Sequence, residues 1–333
     1  IKILNAKDLQ GDSLIVYTRE VSILAHGQNL FLLRLMGFTT TYPFAIITKY
    51  APKGNLYNAL HPRIGTPQLS GTQKTIIALG IAYGMHRLHA IQVIHRDIKS
   101  LNILLDENCL PKICDFGLSR FVNNPDSFLT VDIGTPHWMA PELFTSHTYS
   151  NKVDIYSYGI LLWELLTGTY PFQGLNSAQI AYFVCQEDRR PEIPEKVGQT
   201  QTPVELMKLI RQCWGKDPSL RPYFSNIYNQ FAHHKVFYPD TDFSAISRVV
   251  EQIKADKEET LDQSNNLKQS SSCHLDRYSM TSGSSLDHQS TFDLTPLKDI
   301  NSPLFISTLD LAEKKLKQFQ SEAFFSIIVP YFQ

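Results

Sequence analysis

The sequence has no apolar run long enough to cross a bilayer and no excess of charge of one sign. A membrane-spanning helix needs about 20 consecutive apolar residues, and no run in the 333 residues approaches that length. Thirty-one basic and 32 acidic residues leave a formal net charge of -1, which argues against nucleic acid or an anionic membrane surface as a partner. These absences predict a soluble globular protein with no membrane segment in this chain.

The cysteines lack the spacing of a metal site or of a disulfide framework. They are scattered, odd in number and never at CxxC spacing, and nothing at the start of the chain resembles a signal peptide. Such cysteine usage is typical of a reducing compartment, so we expect a cytoplasmic protein. The five residues are Cys109, Cys114, Cys185, Cys213 and Cys273.

The composition changes once along the chain, close to residue 232. Residues 1–232 are dense in apolar side chains, whereas residues 233–305 are rich in Ser, Asp, Gln and Lys, most of all from about 253 to 303. Because such a segment cannot bury enough apolar surface to offset its ordering entropy, we predict a largely disordered linker there. In residues 306–333, apolar residues at three- and four-residue steps predict an amphipathic helix, followed by an apolar end that fits the start of a further domain.

Within residues 1–232, strand patterns come early and helix patterns come late. The short apolar runs IKIL, FLLRLMGF and FAIITKY precede long helical patterns such as TQKTIIALGIAYGMHRLHA and VDIYSYGILLWELLTG. This segregation predicts an α+β fold with a small sheet-rich lobe, a larger helical lobe and a ligand-binding cleft between them.

Charged and amide side chains are concentrated in one short stretch, VIHRDIKSLNILLD. Eight positions hold His95, Arg96, Asp97, Lys99 and Asn102. A carboxylate, an ammonium group and an amide on one loop can orient a hydroxyl nucleophile, neutralise a phosphate and bind a cation. A second carboxylate, Asp115, follows in KICDFGLS, and Mg²⁺ prefers one or two carboxylates together with phosphate oxygens and water.

These motifs resemble those of the protein kinases. HRDIKSLN is similar to their catalytic loop, DFG to their metal-binding motif and GTPHWMAPE to the end of their activation segment, in the same order. The resemblance covers about residues 1–232. It implies the bilobal protein kinase fold, with a truncated N-terminal β-lobe and a mainly helical C-terminal lobe.

The resemblance implies a role for each residue of the catalytic motifs. Asp97 would orient the substrate hydroxyl, Lys99 would meet the transferring phosphoryl group, and Asn102 and Asp115 would hold the Mg²⁺ of ATP. The remaining matched positions have structural roles in the family: a stacked pair, His95 with Phe116, and an ion pair, Glu142 with Arg221.

Lys2 resembles the lysine of the VAIK strand that binds the ATP phosphates, and Glu20 its partner on the following helix. No GxGxxG motif occurs in the 333 residues, so the glycine-rich loop that would precede Lys2 is absent. We expect that the chain starts late, that the parent protein is an active kinase and that this chain binds ATP poorly. A pseudokinase or scaffold that binds partners through a kinase fold is the alternative.

The segment AIITKYAPKGNLYNAL resembles the last strand of the small lobe and the hinge behind the adenine. The resemblance places Thr48 at the gatekeeper position, Lys49 to Ala51 on the hinge and Leu104 beneath the adenine ring. Ordinary strand packing is the alternative for Thr48.

The substrate class is indicated by Lys99 and Thr135, which resemble the residues of Ser/Thr kinases at these positions. Other stretches, among them PHWMAPE and LIRQCWGKDPSLRP, resemble the tyrosine-kinase-like group, whose members mostly phosphorylate Ser/Thr. We therefore expect phosphorylation of Ser/Thr residues in protein substrates as part of signal transduction, with dual specificity as the open alternative.

Regulation is expected in SRFVNNPDSFLTVDIGTPHW, between Asp115 and Glu142. A phosphate on Ser127 or Thr130 would carry roughly -1.5 to -2 charges and could recruit Arg96 to order the segment. An upstream kinase or autophosphorylation could add it. Solvated loop residues without a regulatory role are the alternative.

Overall fold

In a computed structural model that describes residues 1–4, 9–27, 29–61, 68–121, 134–146 and 148–272, the chain begins with a small antiparallel sheet. For residues 258–272 only the course of a helix is described. The sheet order is β1-β3-β2, and one helix, α1, crosses between the first two strands in sequence. Its elements are β1 (Lys2–Ile3), α1 (Gly11–His26), β2 (Leu35–Phe38) and β3 (Ala45–Thr48).

Tyr17 fastens α1 to this sheet. Its ring packs edge-on against Phe38 and Phe44, with centroid distances of 6.5 and 6.1 Å. Its hydroxyl lies 2.8 Å from the carbonyl oxygen of Thr39 and 3.0 Å from that of Ala45. The amphipathic pattern of α1 therefore buries one face against the sheet, and this face also carries Glu20 inward.

Among the described residues, the larger lobe contains the remaining helices and three pairs of short strands, each strand two or three residues long. Its helices are α2 (Leu56–Leu60), α3 (Gly71–Ala90), α4 (Pro141–Thr145), α5 (Lys152–Thr167), α6 (Ser177–Cys185), α7 (Val204–Cys213), α8 (Phe224–Ala232) and α9 (Phe243–Ser272). Its strands are β4 (Val93–Ile94), β5 (Ile103–Leu105), β6 (Pro111–Ile113), β7 (Arg120–Phe121), β8 (Lys196–Val197) and β9 (Thr200–Gln201). They pair as β4 with β7, β5 with β6 and β8 with β9.

Two apolar helices, α3 and α5, form the centre of the larger lobe. A capping box between Ser70 and Gln73 starts α3, which satisfies backbone N–H groups that the helix itself cannot bond. Gly80 of α3 lies against the ring of Phe31, and a Cβ on this glycine would come within 2.6 Å of that ring. Because Phe31 belongs to the loop between α1 and β2, this close approach fixes the small lobe against the large one.

The β5–β6 hairpin connects this core to the small lobe. Ile113 of β6 exchanges backbone hydrogen bonds with the α1–β2 loop: its N–H donates to Phe31 (2.8 Å) and its carbonyl oxygen accepts from Leu33 (2.9 Å). The residues that lead into β5 and out of β6 therefore lie at the junction of the two lobes. They include Asn102 and Asp115.

The linker expected from residue 233 differs from the structure. Val236, Tyr238, Ile246 and Ile253 are buried, and α9 packs against α3 and α8. The average composition concealed this because the apolar residues of α9 recur at helical spacing while its other positions are polar. Residues 273–305 of the expected linker, and the helix expected in 306–333, lie outside the described residues.

Candidate active site

Lys2 and Glu20 form an ion pair in the small lobe. The ammonium nitrogen of Lys2 lies 2.8 Å from both carboxylate oxygens of Glu20 and 3.0 Å from Oδ1 of Asp115. Burial alone would lower the pKa of Lys2, but hydrogen bonds and charge from the two carboxylates raise it above its ordinary value. The lysine thus remains charged beside two acids that come from distant parts of the chain.

Asp97, Lys99 and Thr135 form a triangle of short contacts in the large lobe. The Lys99 Nζ donates to Oδ2 of Asp97 and to Oγ1 of Thr135, both at 2.6 Å. The Thr135 hydroxyl lies 3.2 Å from Oδ1 of Asp97. One carboxylate is therefore oriented from two sides, by the catalytic loop itself and by the end of the activation segment.

Asn102 supports the same carboxylate and is available to a cation. Its Nδ2 donates to the carbonyl oxygen and to Oδ2 of Asp97, both at 2.8 Å, so its amide oxygen is on the opposite side of the group. The carbonyl oxygen of Asn102 accepts from the N–H of Cys114 at 3.0 Å, which brings Asp115 to the same end of the hairpin. An amide oxygen and a carboxylate suit Mg²⁺, which also takes phosphate oxygens and water.

Electrostatics at Asp115 favour its charged form. Burial alone would raise the pKa of this carboxyl, but the charge and hydrogen bond of Lys2 lower it below its ordinary value. Asp115 has a φ of 63°, a left-handed conformation that an Asp tolerates better than most residues. Among the described residues, no group of three or more His, Cys, Asp or Glu side chains could hold a metal. A cation at Asp115 and Asn102 would therefore need further oxygen ligands, which phosphate oxygens and water can supply.

Asp154 holds the catalytic loop from behind, and the sequence interpretation missed it. Its two oxygens accept from the backbone N–H groups of His95 (2.9 Å) and Arg96 (2.8 Å), and Oδ2 lies 2.9 Å from Nε2 of His89. Arg96 has a φ of 71°, a strained conformation that persists only where its surroundings enforce it. The available signal was an acid inside the apolar pattern of α5, since a buried carboxylate must find donors.

Glu164 is a second missed carboxylate, located on the same helix. Oε1 accepts from the Ser100 hydroxyl at 2.5 Å and Oε2 accepts from Nε1 of Trp138 at 3.2 Å. Burial raises the pKa of Glu164 to about 7. Through this residue, α5 connects the catalytic loop to the turn at Pro136–Trp138.

His95 and Phe116 stack as the resemblance implied. Their ring centroids are 5.1 Å apart, and Nε2 of His95 lies 3.1 Å from the carbonyl oxygen of Cys114. The expected architectural pair is also confirmed: Arg221 binds Glu142 through two hydrogen bonds of 2.5 and 2.9 Å.

The four residues expected around the adenine lie along the connection from β3 to α2 and on β5. Thr48 is half-buried at the end of β3, and the N–H of Lys49 donates to the carbonyl oxygen of Arg34 at 2.9 Å. Ala51 is buried, and Leu104 of β5 forms a backbone bridge with Asn55. The structure therefore brings Leu104 beside the connection that the resemblance interprets as the hinge.

Arg96 also points towards the start of the activation segment. Its guanidinium donates to the carbonyl oxygen of Leu118 at 3.3 Å and lies 5.2 Å from the ring centre of Tyr149. Arg19 of α1 donates to the neighbouring carbonyl oxygen of Ser119 at 3.2 Å. Burial and the charges of nearby arginines lower the pKa of Arg19. Arg19 and Arg96 therefore form a basic corner beside the start of the activation segment. The predicted phosphorylation sites, Ser127 and Thr130, lie outside the described residues.

Comparison with known proteins gives one family and many relatives. The family model of the protein tyrosine and serine/threonine kinases matches residues 1–231. A probable serine/threonine-protein kinase of Dictyostelium discoideum is 42% identical over 67% of this chain and 24% of its own length. The serine/threonine-protein kinase STY17 of Arabidopsis thaliana is 36% identical over 68% of this chain and 39% of its own.

A third relative is the dual specificity protein kinase pyk3 of Dictyostelium discoideum, which is 37% identical over 69% of this chain and 16% of its own length. The chain thus spans well under half of each of these relatives. In the part of the chain that the structure describes, no helix is long and apolar enough to cross a membrane.

Proposed function

Because this chain belongs to the protein kinase family, we propose that the protein its gene encodes transfers the γ-phosphoryl group of ATP to serine and threonine hydroxyls of protein substrates. The observation that supports this most directly is the triangle of Asp97, Lys99 and Thr135, with contacts of 2.6, 2.6 and 3.2 Å. Such a triangle can orient a hydroxyl at the carboxylate and neutralise a phosphoryl group at the ammonium, which is the chemistry that phosphoryl transfer requires.

Each residue of the site has a role in this proposal. Asp97 orients the substrate hydroxyl and takes its proton, while Lys99 stabilises the charge on the transferring group. Asn102 and Asp115 are the residues that would hold Mg²⁺, which neutralises the phosphate oxygens when it is bound. Lys2, oriented by Glu20, binds the phosphates of the nucleotide.

The nucleotide base is assigned to the connection between the lobes. Thr48, Lys49 and Ala51 would line the adenine at the hinge, with Leu104 beneath the ring. Their support is the backbone bridge between Asn55 and Leu104, which brings β5 alongside the segment from β3 to α2. Protein kinases generally use ATP and Mg²⁺, and both are part of the proposal.

Serine and threonine are the proposed acceptors because Thr135 and Lys99 contact each other beside Asp97. Dual specificity remains a second candidate, favoured by the similarity to a dual specificity kinase. The pseudokinase alternative has no support, since the relatives are protein kinases and Lys2, Asp97 and Asp115 are all present.

Activation by phosphorylation is also proposed. The basic corner formed by Arg19 and Arg96 would receive a phosphate on Thr130 or Ser127, added by an upstream kinase or by autophosphorylation. Mass spectrometry of the active protein is expected to find phosphate at one of the two sites. Full activity in the Ser127→Ala, Thr130→Ala double variant would contradict it.

We assign the enzyme to the cytoplasm and to signal transduction as part of the same proposal. The support is the number and spacing of the cysteines in the sequence, which fit neither a disulfide framework nor a metal site. Imaging of a tagged protein would check the location.

The central test is phosphoryl transfer by the protein as its gene encodes it. Asp97→Asn keeps the size of the side chain but removes its charge, so transfer to a serine-containing substrate is expected to fall by about 10³-fold or more. The matched control is Asp12→Asn, an exposed position on α1, which is expected to leave the rate unchanged. Comparable turnover by the Asp97→Asn variant would overturn the proposed function.

A further inference from the structure

The segment that follows the kinase-family match is tied to the start of α3. The N–H of Tyr238 donates to Oγ1 of Thr75 at 2.9 Å, and the N–H of Asp242 donates to Oγ1 of Thr72 at 2.8 Å. Gly71 lies directly against this segment, because a Cβ on it would come within 1.6 Å of the carbonyl oxygen of Pro239. The origin of α9 therefore has a fixed position on the larger lobe, although the family model ends at residue 231.

From this origin α9 packs along α3 and reaches the loop that ends α1. Ile246, Val249 and Ile253 are buried, and this apolar face sets the rotation of the helix. One turn further on, Oδ2 of Asp256 accepts from the backbone N–H of Leu30 at 3.3 Å. A helix outside the family boundary thus contacts the small lobe directly.

The backbone of Leu30 is held from both sides, at the peptide group that precedes it and at the one that follows it. While Asp256 accepts from its N–H, Nζ of Lys112 donates to its carbonyl oxygen at 2.6 Å. Lys112 lies on β6, three residues before Asp115, and forms an ion pair with Asp106 at 3.3 Å. The loop after α1 is therefore held between α9 and the strand that leads to the proposed metal-binding carboxylate.

The same loop determines where α1 ends and so where Glu20 lies. Leu30 is followed by Phe31, which is fully buried against Gly80 and bonded to Ile113. Only a few residues separate this anchor from the last turn of α1 at His26. A shift of the Leu30 backbone would therefore be transmitted to α1 and to the carboxylate that pairs with Lys2.

We propose that α9 is a strap that restrains α1, and that Asp256 is a positioning residue for the Lys2–Glu20 pair. The role in catalysis rests on the proposed function, whereas the restraint itself does not. Regulation could therefore act through α9. A partner or a segment that moves α9 away from Leu30 would loosen α1 and lower the rate of phosphoryl transfer.

The test compares three single variants in the protein as its gene encodes it. Asp256→Ala removes the acceptor for Leu30, Asp256→Asn keeps an amide oxygen as acceptor, and Glu251→Ala changes an exposed residue of the same helix that contacts Lys254. Because alanine favours the helical conformation and asparagine resembles aspartate in helix propensity, α9 is expected to form in all three variants.

Amide hydrogen exchange is the first measurement. Asp256→Ala is expected to speed exchange at Leu30 about tenfold, since one charge-assisted hydrogen bond is lost, and to speed exchange in α1 while α5 is unchanged. Asp256→Asn is expected to return exchange to within about twofold of the parent, and Glu251→Ala to match the parent. Unchanged exchange at Leu30 and α1 in Asp256→Ala, or an equal rise in α5, would overturn the strap.

Kinetics distinguish positioning from simple stabilisation. The Asp256→Ala variant is expected to lower kcat with little change in the KM for the protein substrate, and Asp256→Asn is expected to restore kcat. Unchanged kcat together with faster exchange in α1 would refute the positioning role. If the parent transferred no phosphate at all, the proposed function would fail while the exchange experiment would still decide the strap.

Discussion

Two pairs of a basic residue with a glutamate, one in each lobe, have similar distances and different surroundings. Lys2 lies 2.8 Å from Glu20, with side chains 50% and 7% exposed. Arg221 lies 2.5 Å from Glu142, with side chains 0% and 15% exposed. The lysine has a second acid within reach at 3.0 Å, whereas the arginine is also bonded to backbone carbonyl oxygens of Gly215 and Lys152.

This difference separates a pair that we propose to bind phosphate from a pair that stabilises the fold. A half-exposed lysine can leave one acid for another, or for a phosphate, at little cost because water screens its charge. A buried arginine cannot leave its partners without an uncompensated charge in the core. Similar distances therefore do not indicate similar roles, and burial decides between them.

The largest expected effect comes from breaking the buried pair. Arg221→Ala leaves Glu142 and several carbonyl oxygens without their donor, so the free energy of unfolding is expected to fall by about 3–5 kcal/mol. Chemical denaturation measures it, with the exposed Arg189→Ala as the matched control. A loss below about 1 kcal/mol, the range of surface pairs, would remove the contrast between the two lobes.

Breaking the half-exposed pair is expected to affect catalysis instead. Lys2→Ala should reduce phosphoryl transfer about 10²- to 10³-fold, as the loss of one charge-stabilising group does, and change the free energy of unfolding by about 1 kcal/mol or less. Rates and denaturation curves are compared with Lys208→Ala, another exposed lysine paired with a glutamate. Stability loss as large as that of Arg221→Ala would make Lys2 an architectural residue.

Loss of the Asp154 charge is expected to affect both stability and phosphoryl transfer, and so to lie between the two pairs. Asp154→Asn places an amide where the loop needs an acceptor, so the free energy of unfolding should decrease by about 1–3 kcal/mol. Phosphoryl transfer should decrease as well, since the backbone of His95 and Arg96 would lose its orientation next to Asp97. A change in only the free energy of unfolding, or only the rate of phosphoryl transfer, would contradict the expectation that Asp154 affects both.

The smallest effect depends on pH. The pKa of Glu164 is about 7 in the folded protein and near 4.5 when unfolded, so the folded state binds more protons between these values. Its contribution to stability is therefore present below about pH 4.5 and is lost as pH rises through 7. Glu164→Gln should remove a pH-dependent loss of about 1–3 kcal/mol between pH 5 and 8.

Denaturation of the Glu164→Gln variant and its parent at several pH values measures this difference, with the exposed Glu205→Gln as control. A difference between parent and variant that stays constant from pH 5 to 8 would show that Glu164 does not titrate in this range. Glu164 would then have a structural role like that of Glu142.

Local motifs made the centre of the site predictable. Asp97, Lys99 and Asn102 lie within six consecutive positions, so the chain itself brings them together and any fold of this loop keeps them near one another. The helix α1 was also predictable, because a periodic apolar face indicates a helix wherever it packs, and Glu20 was expected from the resemblance to the protein kinases. The two ion pairs were expected from the resemblance of their motifs to those of the protein kinases, and the structure confirms their geometry.

Residues that act through distant partners were not predictable. Asp154 and Glu164 are single acids in an apolar helix, and their donors are 59 and 64 residues away in the chain. The start of the linker was misplaced for the same reason, because the residues after 232 are polar on average and only their packing on α3 shows that they belong to the lobe.

The sequence by itself determined the candidate site residues, their order and the two lobes that carry them, since these depend on neighbouring residues and on apolar periodicity. Tertiary structure alone decided which hydrogen-bond donors the carboxylates of Asp154 and Glu164 receive and how far each ion pair is shielded from water. It also decided that α9 reaches Leu30. These properties depend on the distance and dielectric surroundings of groups far apart in the chain, which no local pattern encodes.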